Sequence, residues 1–290
     1  MLLFGSMRQR EKKHRTTVLF FRLYRPERMP RMDTVFITLA SALAGFVDAS
    51  VGGGGLVLVP ALFATYPSVL PATLLGTNKS ASVWGTLFAA WRYQQQLVLQ
   101  WRALRVAALC ALAGACAGAY TLTLLSPQLL RQTLPLLLLV VLIYTLKNKH
   151  FGQAHQPRFD GRTQTIAMSL CAGVIGFYDG FLGPGTGSLL LFVLVRWLGF
   201  DFLQASAHSK LLNLASNVAA LVWLGWQGHV LWEICLPIAV ANIAGSWLGT
   251  RMALRQGNNY VRWLFIAVVA ALLLKTAYDA GLAYRIIVSG

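Results

Sequence analysis

Four ionisable side chains inside apolar segments are the residues of this sequence best placed to do chemistry. They are Asp48, Lys79, Asp179 and Lys210, and the spacing from aspartate to lysine is the same in both pairs. A charged side chain costs about 2.5–3.5 kcal/mol at the centre of a bilayer on insertion scales, so each of these groups needs a partner, water or a ligand. Two interpretations stay open: two structural ion pairs, or lysines that attract an anion while the aspartates pair with them or take up a proton.

A glycine-rich break follows each aspartate. Four consecutive glycines occupy Gly52–Gly55, and Gly-Pro-Gly-Thr-Gly occupies 183–187. Such runs interrupt a helix, and in a membrane they persist only where protein buries them or where they line a wet cavity. The half-helix after each break would direct N–H groups and a positive dipole end at that cavity, which suits an anion. Close helix packing through small residues is the alternative.

Further polar residues surround the two lysines. Asn213 and Asn217 are four residues apart and share a helix face with Lys210. His208 is either a hydrogen-bonding helix contact or a proton relay, and the sequence favours the contact. The residues predicted to bind the anion are Lys79, Lys210, Asn78, Asn213, Gly53, Gly54, Gly55, Gly185, Thr186 and Gly187, and those predicted to form a coupling or structural ion-pair set are Asp48, Asp179 and His208.

No motif of an enzyme, a metal site or a nucleotide site accompanies these residues. The sequence lacks Gly-x4-Gly-Lys-Ser/Thr, His-Glu-x-x-His and Gly-x-Ser-x-Gly, and its glycine runs do not fit Gly-x-Gly-x-x-Gly. The cysteines lie in apolar segments without zinc or disulfide spacing, and we expect them to be packing residues. These are Cys110, Cys116, Cys171 and Cys235. We therefore predict no catalytic residue, no metal and no cofactor, and a protein that is not an enzyme.

Composition requires a bilayer around the elements that position these residues. The 290 residues are 57% hydrophobic and 12% charged, whereas soluble domains carry about 25% charged residues. Apolar runs long enough for membrane helices recur along the chain, and two shorter apolar pieces are too short to span alone. The long runs are Thr34–Ala49, Ala72–Trp91, Val106–Leu125, Thr133–Leu146, Thr165–Phe181, Ala205–Trp226, Glu233–Thr250 and Trp263–Tyr278, and the short pieces are Leu56–Ala64 and Ser188–Trp197.

The second half of the sequence repeats the first half in a single register without a gap. In this repeat register Gly-Phe-Val-Asp at 45–48 falls on Gly-Phe-Tyr-Asp at 176–179, and Lys79 falls on Lys210. This predicts an all-α polytopic membrane protein of about eight transmembrane helices in two homologous four-helix repeats, each with a Gly-broken first helix. The predicted parts are a basic cytoplasmic tail (1–31, whose start could be misassigned), a first transmembrane repeat (32–147), a polar linker (148–163), a second repeat (164–280) and a C-terminal tail (281–290).

The distribution of charge predicts the orientation of the bundle. Residues 1–31 are rich in lysine and arginine, and we interpret them as a cytoplasmic flank of the first span rather than as a nucleic-acid site. An even number of crossings in each half would place the arginine-bearing loops 92–105 and 147–162 on the same cytoplasmic side. That count favours parallel repeats. Arg196, Arg251, Arg255 and Arg262 would then face outside.

The paired motifs resemble those of the TauE/SafE family, in particular its YfcA-like branch. The resemblance covers about residues 33–280. The matching stretches are Gly-Phe-Val-Asp-Ala-Ser-Val-Gly-Gly-Gly-Gly at 45–55, Thr-Asn-Lys at 77–79, Gly-Phe-Tyr-Asp-Gly-Phe-Leu-Gly-Pro-Gly-Thr-Gly-Ser at 176–188 and Ala-His-Ser-Lys-Leu-Leu-Asn-Leu-Ala-Ser-Asn at 207–217.

The resemblance implies a multi-pass permease or exporter of the bacterial inner membrane. Its substrates would be small anions such as sulfite, sulfonates or related organosulfur compounds, with proton coupling left open. The alternatives are a passive anion channel and a membrane structural or assembly protein. The partners expected are the small anion and the lipid bilayer, with no nucleic acid, and the sequence does not predict an oligomeric state.

Overall fold

A computed structural model of the chain describes residues 31–126 and 158–289. Within these ranges all the regular secondary structure is helical. The predicted all-α fold is confirmed for these ranges. The basic tail up to residue 30, the predicted span Thr133–Leu146 and most of the polar linker lie outside them. The helices are α1 (Arg31–Val51), α2 (Gly54–Thr65), α3 (Pro71–Gln94), α4 (Trp101–Leu124), α5 (Gly161–Phe181), α6 (Thr186–Arg196), α7 (Phe202–Trp226) and α8 (Trp232–Ser289).

The two glycine-rich breaks separate α1 from α2 and α5 from α6. Gly52, Gly183 and Gly185 adopt positive φ angles of 83°, 88° and 84°, a conformation that costs other L-residues about 1–2 kcal/mol. The half-helices after the breaks have 12 and 11 residues. At 1.5 Å per residue each covers roughly 18 Å or less, short of a hydrocarbon core of about 30 Å, so neither spans alone.

Two of the described helical segments, Met32–Val51 and Trp101–Leu124, are long and apolar enough to cross a membrane by length and composition. Helices α3, α5 and α7 have similar lengths but carry more polar residues. Helix α8 is interrupted at Gly257, where φ is 70° and ψ is −158°. This break lies between the predicted spans Glu233–Thr250 and Trp263–Tyr278.

Close backbone contacts at glycines join α4 to α5 and α1 to α8. A Cβ atom on Gly114 would collide with the backbone of Gly173, and one on Gly245 would collide with the backbone of Ala42. The two contacts match in the repeat register, which places Gly114 on Gly245 and Ala42 on Gly173. All of this packing lies within one compact unit that begins at Phe36.

Helices α1, α3 and the part of α8 before Gly257 run in one direction, and α4, α5 and α7 run in the other. Contacts within the first set are Ser41 with Ile238 and Phe46 with Gly249, and Thr77 with Leu231 and Gly85 with Ser246. Contacts within the second set are Gln100 with His208 and Tyr120 with Trp223, and Gly114 with Gly173 and Gly118 with Phe181. The sets meet where α3 crosses α7, with Lys79 against Asn217.

Helices at matching positions of the repeat register therefore run in opposite directions: α1 against α5, α3 against α7, and α4 against α8. The prediction of parallel repeats is wrong. The prediction of parallel repeats assumed that each half crosses the membrane an even number of times. Whether the short segments after the breaks count as crossings was left undecided. Helix directions come from contacts between segments far apart in the chain, which a count of loop charges does not contain.

The interior of this bundle holds polar and charged side chains alongside its apolar core, and the outer surface is largely apolar. The interior holds both lysines, both aspartates of the breaks and several Ser, Thr and Asn side chains. Soluble proteins rarely expose extended apolar patches. A bundle with this apolar exterior is suited to lipid. Exposed apolar residues include Leu39, Leu43, Leu109, Leu170, Val174, Val222, Leu236 and Val240.

Every arginine that the structure describes between Phe36 and Gly257 lies at one end of the bundle. This arginine-rich end contains the end of α3, the starts of α4, α5 and α7, the end of α6, and the last turns of α8 before Gly257. Hydrogen bonds from Arg158 N to Leu198 O and from Leu203 N to Asn258 Oδ1 connect these parts. The arginines are Arg92, Arg102, Arg105, Arg158, Arg162, Arg196, Arg251 and Arg255.

The predicted distribution of arginines is therefore wrong. Arg196, Arg251 and Arg255, expected on the outer side, share an end with the 92–105 loop. Because α1 and α3 run in the same direction, the end of α3 lies opposite the end from which α1 starts. The N-terminal end of α1 and the 92–105 loop cannot share a side, as the even count required.

Candidate functional site

The four buried charges form two ion pairs that each join the first half of the chain to the second half. Lys79 Nζ lies 2.6 Å from Asp179 Oδ1, and Lys210 Nζ lies 3.7 Å from Asp48 Oδ2. The equal spacing along the chain suggested that each aspartate pairs with the lysine of its own half, and that pairing is wrong. The antiparallel crossing of α3 and α7 brings each lysine to the glycine break of the other half.

The Lys79 ammonium has two close partners. It donates to Asp179 Oδ1 at 2.6 Å and to Asn217 Oδ1 at 2.9 Å. It also lies against Gly183, where a Cβ atom would come within 2.7 Å of Nζ. Asn217 was expected to accompany Lys210, on whose helix it lies, but it binds the lysine of α3. Through these contacts Lys79 connects the second glycine break to α3 and α7.

The Lys210 ammonium is held less tightly. Its side chain is 0% exposed, its carboxylate partner Asp48 is 3.7 Å away, and Nζ has no hydrogen-bond partner in the described part of the chain. Asp48 Oδ2 accepts a hydrogen bond from Thr86 Oγ1 at 3.2 Å. An ammonium group has three donors and no acceptor, so Lys210 retains donors that a bound anion could use.

The two glycine breaks touch each other at the centre of the bundle. The Ser188 amide donates to Gly52 O at 2.8 Å, and the Ser188 hydroxyl donates to Val51 O at 3.1 Å. Gly187 packs directly on the Gly52 backbone, and a Cβ atom on Gly55 would contact Pro184. The starts of α2 and α6 thus converge on one place, beside the two ion pairs.

Several predicted binding residues take part in this convergence. Gly53 and Gly54 are buried at the start of α2, and Gly55 is partly exposed. Gly185 is the left-handed residue before α6. Thr186 donates from both its amide (3.2 Å) and its hydroxyl (2.7 Å) to Gly183 O, so its donors already stabilise the break.

The amide side chains of Asn78 and Asn213 lie buried on the helices that carry the two lysines. Each residue is under 5% exposed, and in each the Oδ1 atom lacks a hydrogen-bond partner among the described residues. The Nδ2 atom of Asn78 is near Gly55. Unpaired buried carbonyl oxygens are uncommon in native proteins, and they accept from a ligand or water when one is present.

His208 makes a structural contact away from the ion pairs. Its Nε2 accepts the Gln100 amide at 3.2 Å, and its Nδ1 lies 2.8 Å from Gln204 O. An acceptor Nε2 requires a neutral ring whose proton is on Nδ1. At the matching position Thr77 Oγ1 accepts the Leu231 amide at 2.9 Å. The two side chains anchor the connectors before α4 and α8.

Sequence reasoning missed Thr86 and two serines. Thr86 binds Asp48, Ser188 binds the first break, and Ser206 Oγ donates to Ser50 O at 2.9 Å. The repeat register could have found Thr86, since it matches Asn217, the partner of Lys79. Nothing in the local sequence distinguishes the serines from others in apolar helices.

Comparison with known proteins identifies the family of this chain. The family described as sulfite exporter TauE/SafE matches residues 37–276. The "Probable membrane transporter protein YfcA" of Escherichia coli (strain K12) is 33% identical over 239 residues, which cover 82% of this chain and 87% of that protein. The "Probable membrane transporter protein ORF9" of Sinorhizobium sp is 33% identical over 245 residues, covering 84% and 92%. No solved structure matches the chain.

A helical bundle with an apolar exterior, broken helices and buried charges is typical of membrane transporters. The chain belongs to the TauE/SafE family. The family resemblance inferred from the paired motifs is thereby confirmed.

Proposed function

We propose that the protein is a secondary transporter that carries small oxyanions containing sulfur, such as sulfite and short sulfonates, across the bacterial inner membrane with proton coupling. The observation that carries the proposal is the fully buried Lys210 ammonium without a hydrogen-bond partner in the described part of the chain. The family description names sulfite. Sulfite and sulfonate oxygens are hydrogen-bond acceptors, and charge-assisted bonds to an ammonium are the strong ones.

The proposed site lies between the two glycine breaks. Lys79 and Lys210 give it positive charge, and Asn78, Asn213 and the starts of α2 and α6 (Gly53–Gly55 and Gly185–Gly187) form its walls. Asp48 and Asp179 position the lysines, and proton coupling needs one of these two carboxylates. The crossed ion pairs and the two helix starts at one place support this arrangement.

We also propose that the chain is built from two inverted repeats, 32–147 and 164–280. Helix contacts at matching positions, such as Gly114 with Gly173 and Gly245 with Ala42, support the repeat. The opposite directions of α1 and α5 support its inversion. In transporters with inverted repeats the substrate site lies where the repeats meet, near the middle of the membrane. The touching glycine breaks and crossed ion pairs support a site at that position.

We propose that the arginine-rich end faces the cytoplasm, because loops on that side carry an excess of lysine and arginine. Helix α1 would then enter the membrane from the outer side. This replaces the expectation of a cytoplasmic N-terminus, which counted the charges of the tail but not the direction of α1.

The test is flux of labelled sulfite and of a short sulfonate into proteoliposomes that contain the full chain. We expect saturable flux that responds to a counter-gradient, and at least a tenfold loss in Lys210→Ala. Because that variant also removes a buried cation, its folding is checked by thermal unfolding. Folded Lys210→Ala with wild-type flux would contradict the proposed site. Flux that does not saturate would favour a channel, and absence of flux would favour a structural role.

A further inference from the structure

The two ion pairs differ in ways that the repeat does not predict. The Asp179 carboxylate lies 2.6 Å from its lysine, whereas the Asp48 carboxylate lies 3.7 Å from its own. The Asp179 side chain is 1% exposed and the Asp48 side chain 12%. Asn217 supplements the first pair by binding Lys79. Lys210 has no such second partner among the described residues. Asp48 therefore has the looser and more accessible carboxylate.

An anion on Lys210 would lie next to this carboxylate. Two negative charges in a poorly hydrated site repel each other strongly, and such an arrangement favours protonation of the carboxyl group. One proton on Asp48 would remove the repulsion and leave the Lys210 charge to the anion. The net charge of the site would be the same before and after binding, because one proton enters with one monovalent anion.

We infer that Asp48 takes up the coupling proton when the anion binds Lys210, and that the Asp179–Lys79 pair stays ionised throughout the cycle. This inference rests on the proposed function. On binding, a proton from the aqueous side forms an O–H bond on the Asp48 carboxylate, and the anion replaces Asp48 as the partner of Lys210. On release, that O–H bond breaks, the proton leaves with the anion, and Asp48 pairs with Lys210 again.

The surroundings of Asp48 leave few other groups that could take this role. Helix α2 has no ionisable side chain, and Arg196, the ionisable residue of α6, is at its far end. Phenol groups are neutral near physiological pH. In the described part of the chain the groups that approach Asp48 or its helix end are Lys210 from α7, Thr86 and Tyr93 from α3, and Tyr260 from α8. Of these four groups, Lys210 is the one that carries a charge.

Thr86 can serve both states of Asp48. Its hydroxyl now donates to Asp48 Oδ2. A hydroxyl can also accept, so after a rotation of the hydroxyl proton Thr86 could accept a hydrogen bond from the protonated carboxyl group. At the matching position Asn217 presents its carbonyl oxygen to Lys79. The Thr86 hydroxyl at Asp48 suits a carboxyl group that gains and loses a proton. The Asn217 carbonyl oxygen at Lys79 suits an ammonium group that keeps its charge.

The experiment compares Asp48→Asn with its repeat counterpart Asp179→Asn in proteoliposomes containing the full chain. The probe is labelled methanesulfonate, which remains an anion across the pH range used. Two rates are measured: exchange at equal pH, and uptake driven by an imposed pH gradient. We expect Asp48→Asn to retain exchange while the ratio of gradient-driven uptake to exchange falls at least tenfold. In Asp179→Asn we expect that ratio to stay within twofold of wild type, with a lower melting temperature.

A second pair of variants covers the case in which an asparagine variant fails to fold. Asp48→Glu keeps a carboxyl group but moves it, so we expect a shifted pH midpoint of uptake, whereas Asp179→Glu should leave the midpoint unchanged. Asp48→Asn with wild-type coupling would overturn the inference alone, as would a midpoint shift in Asp179→Glu without one in Asp48→Glu. Wild-type protein that exchanges neither methanesulfonate nor sulfite would overturn the proposed function and this inference together.

Discussion

Lys79 donates to two buried oxygens, and at the scale of single residues this is what separates it from Lys210. A buried charge without its partner is expensive, whereas removing both members of a pair often costs little. The Lys79 group should therefore behave as a structural unit in stability measurements. Lys210, whose ammonium makes no hydrogen bond in the described structure, has only the longer contact to Asp48.

We predict that Lys79→Met destabilises the fold by about 3–5 kcal/mol, because Asp179 would remain as an uncompensated buried charge. The double variant Lys79→Met/Asp179→Asn removes both charges and should recover most of this loss. Denaturation of purified protein in detergent measures both effects. A double variant no more stable than the single one would show that the pair does not contribute in this way.

His208 shows how one residue type can mislead at this scale. A histidine in an apolar helix suggests proton transfer, but its two ring nitrogens already bind Gln100 and Gln204. The matching threonine makes the equivalent bond without a titratable group. The histidine therefore fixes a connector, and the sequence preference for a helix contact agrees with this geometry.

At the scale of the helices, the contact between the two glycine breaks holds α6 against the end of α1. Gly52 has a positive φ and lies directly against the backbone of Gly187. Both properties disfavour a side chain at Gly52, the first through backbone conformation and the second through lack of space. Gly161 also has a positive φ, of 54°, but no atom lies within 4 Å of the position of its Cβ. The two glycines allow conformation and packing to be separated.

We predict that Gly161→Ala costs about 1–2 kcal/mol from backbone conformation alone. Gly52→Ala should cost that amount plus about 1–3 kcal/mol for displaced backbone. It should also separate α6 from α1 and lower transport. Thermal unfolding and sulfite flux of the two variants test this prediction. Equal losses of stability would mean that the close approach of the breaks contributes nothing.

The direction of α1 and the position of the arginines belong to the scale of the whole molecule. Gln96, in the connector after α3, lies at the arginine-rich end, and Gln227, after α7, lies at the other; both side chains are exposed. The proposed orientation places the first in the cytoplasm and the second outside.

We predict that Gln227→Cys reacts with a membrane-impermeant thiol reagent in intact cells and that Gln96→Cys reacts only after the cells are permeabilised. Both are made in a background without the native cysteines, and comparable labelling of permeabilised cells is the control. The reverse pattern would contradict the orientation derived from the arginines. It would leave the antiparallel crossing of α3 and α7 unaffected.

Local sequence was enough to predict the class of protein and the helical fold, and it singled out the candidate site residues. Few charges and long apolar runs require a bilayer, because a water-facing surface cannot be built from them. Glycine runs must interrupt helices because of backbone conformation, and they do so after Asp48 and Asp179. The paired motifs identified the TauE/SafE family. These are local properties, and local sequence contains them.

The pairing of residues and the directions of the helices follow from contacts between distant segments, which are seen in the three-dimensional structure. Asp48 and Lys79 belong to the same half of the chain, yet Asp48 pairs with Lys210, because α3 and α7 cross in opposite directions. The same crossing joins Lys79 to Asp179 and places the arginines at one end. Pairing across a crossing depends on helix direction and register between distant segments, and neither composition nor spacing along the chain specifies them.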